Sequence, residues 1–289
     1  MSSIPQNQGG SDWLEWRKSK VTASEAAVIM GCSPYNTLYT LWQKKLGHVP
    51  PAKDNPAMRY GREMEEPIRQ WYEMQVNDFF PSEVVVNPLY NWMGASLDGI
   101  SLDRKTILEI KTCNAQVFEE ALDGKIPEHY EWQAHHQMAC IPEALRVEFV
   151  FYHKDNYARV VLERDDDKIE ELTEDEQGFY EVNIVLETEP ELVEKDYRDF
   201  SESWDFYIEE ELRMLMDDVS PKNKRVADLK KLLVEKSDDG NGYGRYFKLT
   251  RSYPKGRLDE KKMLEDGIDI EKYRKPNSVR NVISRVKDA

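Results

Sequence analysis

Cysteine is scarce in this chain and falls into no pattern. Cys32, Cys113 and Cys140 are odd in number and widely scattered. They offer neither a zinc spacing nor a disulfide framework, which suits a reducing compartment. Three thiols are also too few for a four-cysteine iron–sulfur cluster. No apolar run approaches the roughly 20 residues needed to cross a bilayer. Residues 1–10 are polar and lack the apolar segment of a signal peptide. A cytoplasmic location without a membrane partner is the expectation. Positive charge is short as well: 40 Lys and Arg stand against 55 Asp and Glu, a net charge of −15. Taken as a sum, that excess argues against a polyanionic partner.

The distribution reverses the argument. Residues 163–220 hold 23 acids and 5 bases, net −18, whereas residues 1–162 total −5 and residues 221–289 total +8. Binding follows local fields rather than the sum. The acidic block reads as a solvated helical surface and is excluded as a DNA-contacting face. At 289 residues, 40% of them hydrophobic and 11% aromatic, the chain can bury a substantial core.

Along the chain, residues 1–12 read as a disordered leader and 13–20 as a first helix carrying Arg17. A second helix starts near Thr22, an N-cap with Glu25 at capping-box spacing, and Gly31 stops it. A third helix spans 38–46. The stretch 58–74 reads as a long helix with a kink near Pro67, its Ile68, Trp71 and Tyr72 facing the core. Strands follow at 82–87, 92–97 and 106–111. A helix over 131–140 places Gln133 and Gln137 on one face, and paired strands follow at 147–152 and 157–162. Residues 166–217 read as acidic helices with Trp204, Phe206, Tyr207, Leu212 and Leu215 on the apolar side. Residues 238–244 read as flexible punctuation before a basic tail containing a strand at 245–249 and the stretches 254–259 and 273–276. The tail reads equally as a DNA-backbone clamp and as a solubilising terminal hairpin.

The chemistry gathers around Leu97-Asp98-Gly99 and Ile107-Leu108-Glu109-Ile110-Lys111. Residues i and i+2 of a strand share a face, so Glu109 and Lys111 point together, and the preceding turn brings Asp98 alongside. Two acids and a lysine on one sheet edge are costly to bury without a cation or an anionic substrate. Hard oxygen ligands suit Mg²⁺. One ion, or two about 4 Å apart, would serve phosphodiester cleavage, with Lys111 polarising the phosphate. The bland alternative is an exposed strand-edge ion pair worth about 0–1 kcal/mol. His135 and His136 are adjacent, point apart on a helix, and fit core or surface roles better than a metal site. Tyr39, Trp42, Trp71 and Trp92 fit the core better than base-stacking platforms.

Arg17, Thr22-Ala23-Ser24, Gly61-Arg62-Glu63-Met64-Glu65, Leu97-Asp98-Gly99, Glu109-Ile110-Lys111 and Tyr130-Glu131-Trp132-Gln133 occur in that order. As an ordered set over residues 13–162, they resemble the lambda-exonuclease/YqaJ viral recombinase family of the PD-(D/E)XK nuclease superfamily. The resemblance implies an α/β fold: a restriction-endonuclease-like core with a central mixed sheet flanked by helices. A nuclease core over 13–162 would be followed by an acidic helical extension (163–237) and a basic tail (238–289). It implies a Mg²⁺-dependent exonuclease that degrades one strand of linear double-stranded DNA from its 5′ end. The 3′ overhangs would serve a phage single-strand-annealing partner. Two Mg²⁺ ions, replaceable by Mn²⁺, and a trimeric ring are implied too.

Carried over by position, Glu65, Asp98, Glu109 and the backbone carbonyl of Ile110 would hold metal, and Lys111 would be the catalytic lysine. Glu66 competes with Glu65 if the helix register differs. Gln133 matches the first glutamine of the family's Gln-X-Gln helix. The second is His135 here, with Gln137 further along, so all three stay candidates for orienting the attacking water. Arg17 and Ser24 match positions that hold a 5′ phosphate. The alternatives are an endonuclease of the same superfamily and a catalytically silent DNA-binding module.

Overall fold

The computed structural model describes residues 11–50, 55–217, 223–237, 240–253 and 279–286. The leader over 1–10, part of the punctuation (238–239) and the tail stretches 254–259 and 273–276 lie outside the described residues. Ser11 and Asp12, read as part of the leader, open the first helix instead. The chain divides into two compact units, Met1–Thr188 and Glu189–Ala289. The first half of the acidic block therefore belongs with the first unit, beyond the boundary expected at 162.

The first unit begins with α1 (Ser11–Lys18), β1 (Val21–Thr22), α2 (Ala23–Ile29), α3 (Leu38–Lys45) and α4 (Pro56–Val76). At the start of α2 the Thr22 N–H donates to Glu25 Oε2 at 2.9 Å, satisfying a backbone donor that a helix start leaves orphaned. In α4, Asn55 Oδ1 accepts from the Met58 N–H at 2.8 Å, and Pro56 occupies the first turn, where no N–H is needed. The helix runs from residue 56 to 76 with Pro67 inside it, so the proline does not divide it.

Strands β2 (Glu83–Val86), β3 (Met93–Leu97), β4 (Gly99–Ile100) and β5 (Thr106–Thr112) follow. Helices α5 (Ala115–Leu122) and α6 (Glu128–Cys140) then lead to β6 (Arg146–His153), β7 (Asn156–Glu163) and α7 (Asp166–Gly178). Instead of continuing as a regular helix, the chain passes from α7 into a π-helical stretch, Phe179–Val185. The expected central sheet is two mixed sheets. One has the order β1-β3-β2 and the other β4-β5-β6-β7, and Asp98 alone separates β3 from β4. β1 runs parallel to β3 and β5 parallel to β6, with the other pairs antiparallel. Parallel β5 and β6 require a crossover; α5 and α6 supply it.

The strand alternation of β5 sorts its side chains onto two faces. Leu108 and Ile110 pack with Val150 and Tyr152 against Ile68 and Tyr72 of α4. Ile107 packs with Phe149 and Phe151 against Phe118 of α5 and Ala134 and Met138 of α6. Glu109 and Lys111 share the Ile107 face and so look toward α6. That single alternation aims the charged pair.

The second unit holds β8 (Tyr197–Asp199), α8 (Phe206–Asp217), α9 (Asn223–Glu235), β9 (Asn241–Tyr243), β10 (Phe247–Ser252) and β11 (Arg280–Arg285). Its sheet order is β11-β10-β9-β8, over a core of Phe200, Trp204, Leu212, Leu229, Leu233, Phe247, Leu249 and Ile283. Residues 241–243, read as flexible punctuation, are a paired strand. A Cβ on Gly242 would stand 2.3 Å from the Arg198 carbonyl, so glycine there lets β8 and β9 meet. Phe206 and Tyr207, expected on the apolar side of the acidic helices, are exposed, Tyr207 by 81%. The Arg245 guanidinium sits 4.6 Å from the Phe206 ring centroid and shields part of it.

Candidate active site

Asp98 is the point where the two sheets of the first unit meet. The β4–β5 register pairs Gly99 with Leu108 and Ile100 with Ile107, so one step back Asp98 opposes Glu109. The Ile110 N–H, left without a strand partner where β4 has not yet begun, donates to Asp98 Oδ2 at 2.8 Å. A strand residue directs its N–H and C=O to the same side, so the Ile110 carbonyl faces this edge too. At Gly99 a Cβ would stand 2.9 Å from the Phe80 carbonyl, so glycine lets the segment before β2 lie against the start of β4. From α4, Arg69 Nη1 donates to the Asp98 carbonyl at 3.0 Å. Glu65 lies one helical turn before Arg69.

Glu109 is 3% exposed, and three donors hold it. Lys111 Nζ lies 2.7 Å from Oε1. Gln133 Nε2 donates to the same oxygen at 2.6 Å, and Gln137 Nε2 to Oε2 at 2.6 Å. Lys111 also donates to Gln133 Oε1 at 2.9 Å. Its ammonium stands 4.5 Å from the Tyr130 ring centroid. A carboxylate offers about four acceptor sites, so these contacts leave room for a further partner.

The electrostatics follow from three acids meeting one lysine. Burial first, then the Glu109 and Glu65 carboxylates, push the Asp98 carboxyl well above its usual range, against the Ile110 N–H and Lys111. Burial and Glu109 raise Glu65 as well. For Lys111 burial works to lower the pKa, but Glu109 outweighs it and holds the ammonium above the ordinary lysine value. Arg62, Arg69 and Lys111 offset part of the repulsion at Glu65, yet its carboxyl still stands above its ordinary value. Among the described residues no three His, Cys, Asp or Glu side chains form a ready-made metal cage. The donors present, three carboxylates in mutual Coulombic range and a strand-edge carbonyl, nevertheless fit a hard divalent cation by their chemistry. Glu109 would turn an oxygen from its amide donors toward the ion.

The expected residues divide as follows. Glu65, Asp98, Glu109, Lys111 and Gln133 come together around the β4–β5 edge. Glu66 is exposed and taken up by neighbours on its own helix: it pairs with Arg69 and accepts from Gln70 Nε2 at 2.7 Å. Arg17 Nη2 donates to Ser24 Oγ at 2.8 Å and to Thr22 Oγ1 at 3.3 Å. That pair is tied to the acids through β1, which pairs with the start of β3, the strand leading into Asp98. His135 is buried with neither ring nitrogen hydrogen-bonded, and burial lowers its pKa to about 4. His136 Nδ1 lies 2.7 Å from Glu176 Oε1 of α7, and its Nε2 lies 3.0 Å from the Gly94 carbonyl. Both histidines serve the core, as expected of them. Tyr39 and Trp42 are buried, Trp71 stacks on Tyr157 and Trp92 on Tyr180.

The i, i+4 spacing put Gln137 on the Gln133 face and kept it a candidate, but its contact with Glu109 comes from the structure; two further contacts escaped the sequence reading. Arg69, at i+4 from Glu65, was legible in the same way. The Tyr130 ring beside Lys111 had no local signal.

Residues 12–142 match the family profile described as "YqaJ-like viral recombinase domain". The chain is 27% identical over 179 residues to the uncharacterized protein YqaJ of Bacillus subtilis (strain 168). That match spans 60% of this chain and 56% of the relative, little more than half its length. Among solved structures, the alkaline exonuclease LHK-Exo of Laribacter hongkongensis is 28% identical, with a TM-score of 0.54 over 62% of this chain and 95% of that one. The same enzyme in complex with dAMP matches with the same values. The α/β fold is the restriction-endonuclease-like fold of these alkaline exonucleases, and residues 12–142 are similar to the YqaJ-like viral recombinase domain.

Proposed function

We propose that this protein is a Mg²⁺-dependent exonuclease of phage-type DNA recombination. It digests one strand of linear double-stranded DNA from the 5′ end and leaves a 3′ overhang for a single-strand-annealing protein. The observation that carries the reading is the opposition of Asp98 to Glu109 across β4–β5, with Lys111 on the Glu109 face. The likeness to an alkaline exonuclease supports it.

Glu65, Asp98, Glu109 and the Ile110 carbonyl would hold Mg²⁺, one ion or two, with Mn²⁺ as a substitute. When bound, the ion lowers the pKa of an attacking water and offsets the charge that builds on the phosphate. Lys111 keeps its proton in this setting, so its ammonium offers a fixed positive charge to a phosphate oxygen. Gln133 donates to Glu109 and accepts from Lys111, which locks the spacing of the two. The Ile110 N–H holds Asp98 Oδ2, so the aspartate presents its other oxygen. Arg17 and Ser24 supply a fork and a hydroxyl suited to a terminal 5′ phosphate. A ring of three copies around the duplex is part of the reading.

The test is incubation with Mg²⁺ and end-labelled linear duplex, covalently closed circular duplex or single-stranded DNA. Progressive loss from the 5′ ends of the linear duplex, with the circle spared, is the expected result. Cutting of the circle would replace the exonuclease by an endonuclease. Binding without cleavage in Mg²⁺ or Mn²⁺ would leave a silent DNA-binding module.

A further inference from the structure

Tyr35 lies between α2 and α3 with its side chain in solvent; the residue is 80% exposed. A single exposed aromatic is ordinary on a protein surface, and two observations set this one apart.

The first is the rigidity of the turn that presents it. The Ser33 N–H donates to the Ala27 carbonyl at 2.9 Å. Ser33 Oγ accepts from the Tyr35 N–H at 3.3 Å and the Asn36 N–H at 3.2 Å. Lys44 Nζ then donates to Asn36 Oδ1 at 2.5 Å, and Thr37 caps the next helix. Pro34 restricts the backbone immediately before the tyrosine. Nearly every residue of the turn is pinned, while the ring it carries stays in water.

The second is where the ring stands. Tyr35 meets His129 edge-on with centroids 6.3 Å apart, and His129 lies 4.1 Å from the Tyr130 ring. Tyr130 in turn lies against the Lys111 ammonium. Three rings therefore run from the lysine of the candidate site to the surface. Burial first, and Lys111 next, lower the His129 pKa, so the middle ring is a neutral aromatic spacer rather than a phosphate anchor. The legs of this path, 4.5, 4.1 and 6.3 Å, put the Tyr35 ring within about 15 Å of the ammonium, a distance that a few nucleotides of one strand span.

We propose that Tyr35 is a nucleobase-stacking residue, a preorganised aromatic platform for a base near the end of the strand whose phosphate is held at Lys111. The ligand is a nucleobase as such, since every base has a π face and stacking tolerates sequence. A tyrosine suits the task because its ring loses little conformational freedom on binding. The proposal rests on the nuclease reading of the site.

The full chain, as wild type, Tyr35→Ala and Tyr35→Phe, is assayed on 5′-phosphorylated linear duplex. A matched duplex carries abasic residues at its first two 5′ positions. Tyr35→Ala is expected to raise KM on the intact duplex by about 5-fold to 100-fold, the range of one lost stack, with kcat within about 2-fold. Tyr35→Phe is expected to match the wild type. On the abasic duplex the wild type takes the higher KM, and Tyr35→Ala adds nothing to it. A parallel binding measurement in Ca²⁺ uses 2-aminopurine at the 5′ end, whose fluorescence the wild type and Tyr35→Phe quench and Tyr35→Ala does not. Equal KM for Tyr35→Ala and wild type on intact duplex, or an equal loss on the abasic one, overturns the platform. If the wild type binds without cutting, the nuclease reading falls and the fluorescence still decides Tyr35. If it binds no DNA, both fall.

Discussion

At the scale of single residues, the site is three carboxylates restrained by one ammonium, two amides and one backbone N–H. Lys111 is the only cation in contact with Glu109 among the described residues, so it carries both the charge balance and the proposed contact with phosphate. Lys111→Ala is expected to lower kcat by about 100-fold or more while duplex stays bound, read by single-turnover cleavage beside a gel-shift assay. Wild-type turnover by that variant would refute the assigned site. Gln137 acts on Glu109 from the other side. Gln137→Leu keeps the volume but leaves Glu109 Oε2 without its donor, at a cost of about 1–3 kcal/mol. The expected outcome is a lower Tm in EDTA together with an altered Mg²⁺ concentration for half-maximal cleavage. A change in Tm with an unaltered Mg²⁺ requirement would reduce Gln137 to a core contact.

At the scale of elements, α4, β6 and β7 are joined by a polar knot away from the site. Tyr72 of α4 donates to Glu148 Oε2 at 2.9 Å, Arg159 of β7 to the same oxygen at 2.7 Å, and Arg146 of β6 to Oε1 at 3.1 Å. Burial works to raise the Glu148 pKa, but hydrogen bonds from Arg159 and Tyr72 outweigh it and hold the carboxyl below its ordinary value. The unfolded chain therefore takes up this proton first as pH falls. The stabilisation is complete above the ordinary glutamate value and is lost as pH falls through the lowered one. Urea unfolding at pH 6 and pH 3 tests this: Glu148→Gln is expected to lose less stability between the two than the wild type does. An equal loss would place the acid sensitivity elsewhere.

Helix α6 shows the same economy on the side of the site. Gln133 and Gln137 face Glu109, while His136 turns to Glu176 of α7 and the Gly94 carbonyl of β3. One helix thus fixes its rotation against an acidic helix and a strand, and the rotation delivers both amides. The acidic block contributes to the fold here through Glu176, which is wholly buried beside His136.

At the scale of the whole molecule, a chain of net charge −15 would bind DNA, as proposed, only through a confined positive surface. Affinity for duplex is expected to fall steeply and linearly on a log–log plot as salt rises from 50 to 200 mM, and fluorescence anisotropy would read the slope. A flat response would argue against phosphate contacts altogether. The division at Thr188 leads to a further expectation: residues 1–188 expressed alone should unfold in a single cooperative transition, because their core is internal to that unit. A chain of that length that stays unfolded would show that the second unit completes it.

The sequence by itself determined what is local. The i, i+2 rule put Glu109 and Lys111 on one strand face, i, i+4 spacing put Gln133 and Gln137 on one helix face, and the order of the acids carried the family resemblance. It was also enough to free the charge argument, because composition can be counted block by block. Only the tertiary structure decided which partners those faces meet. The opposition of Asp98 and Glu109 depends on a two-residue pairing register, and the Arg69 contact on how α4 crosses the sheet edge. Residues 241–243, glycine-bearing and polar, read as a loop, since nothing local announces a neighbouring strand close enough to exclude a Cβ. Exposure of Phe206 and Tyr207 was equally hidden, because apolar spacing describes one helix and burial depends on what packs against it. Periodicity and charge are properties of neighbouring residues, whereas register, crossing and burial come from segments far apart in the chain.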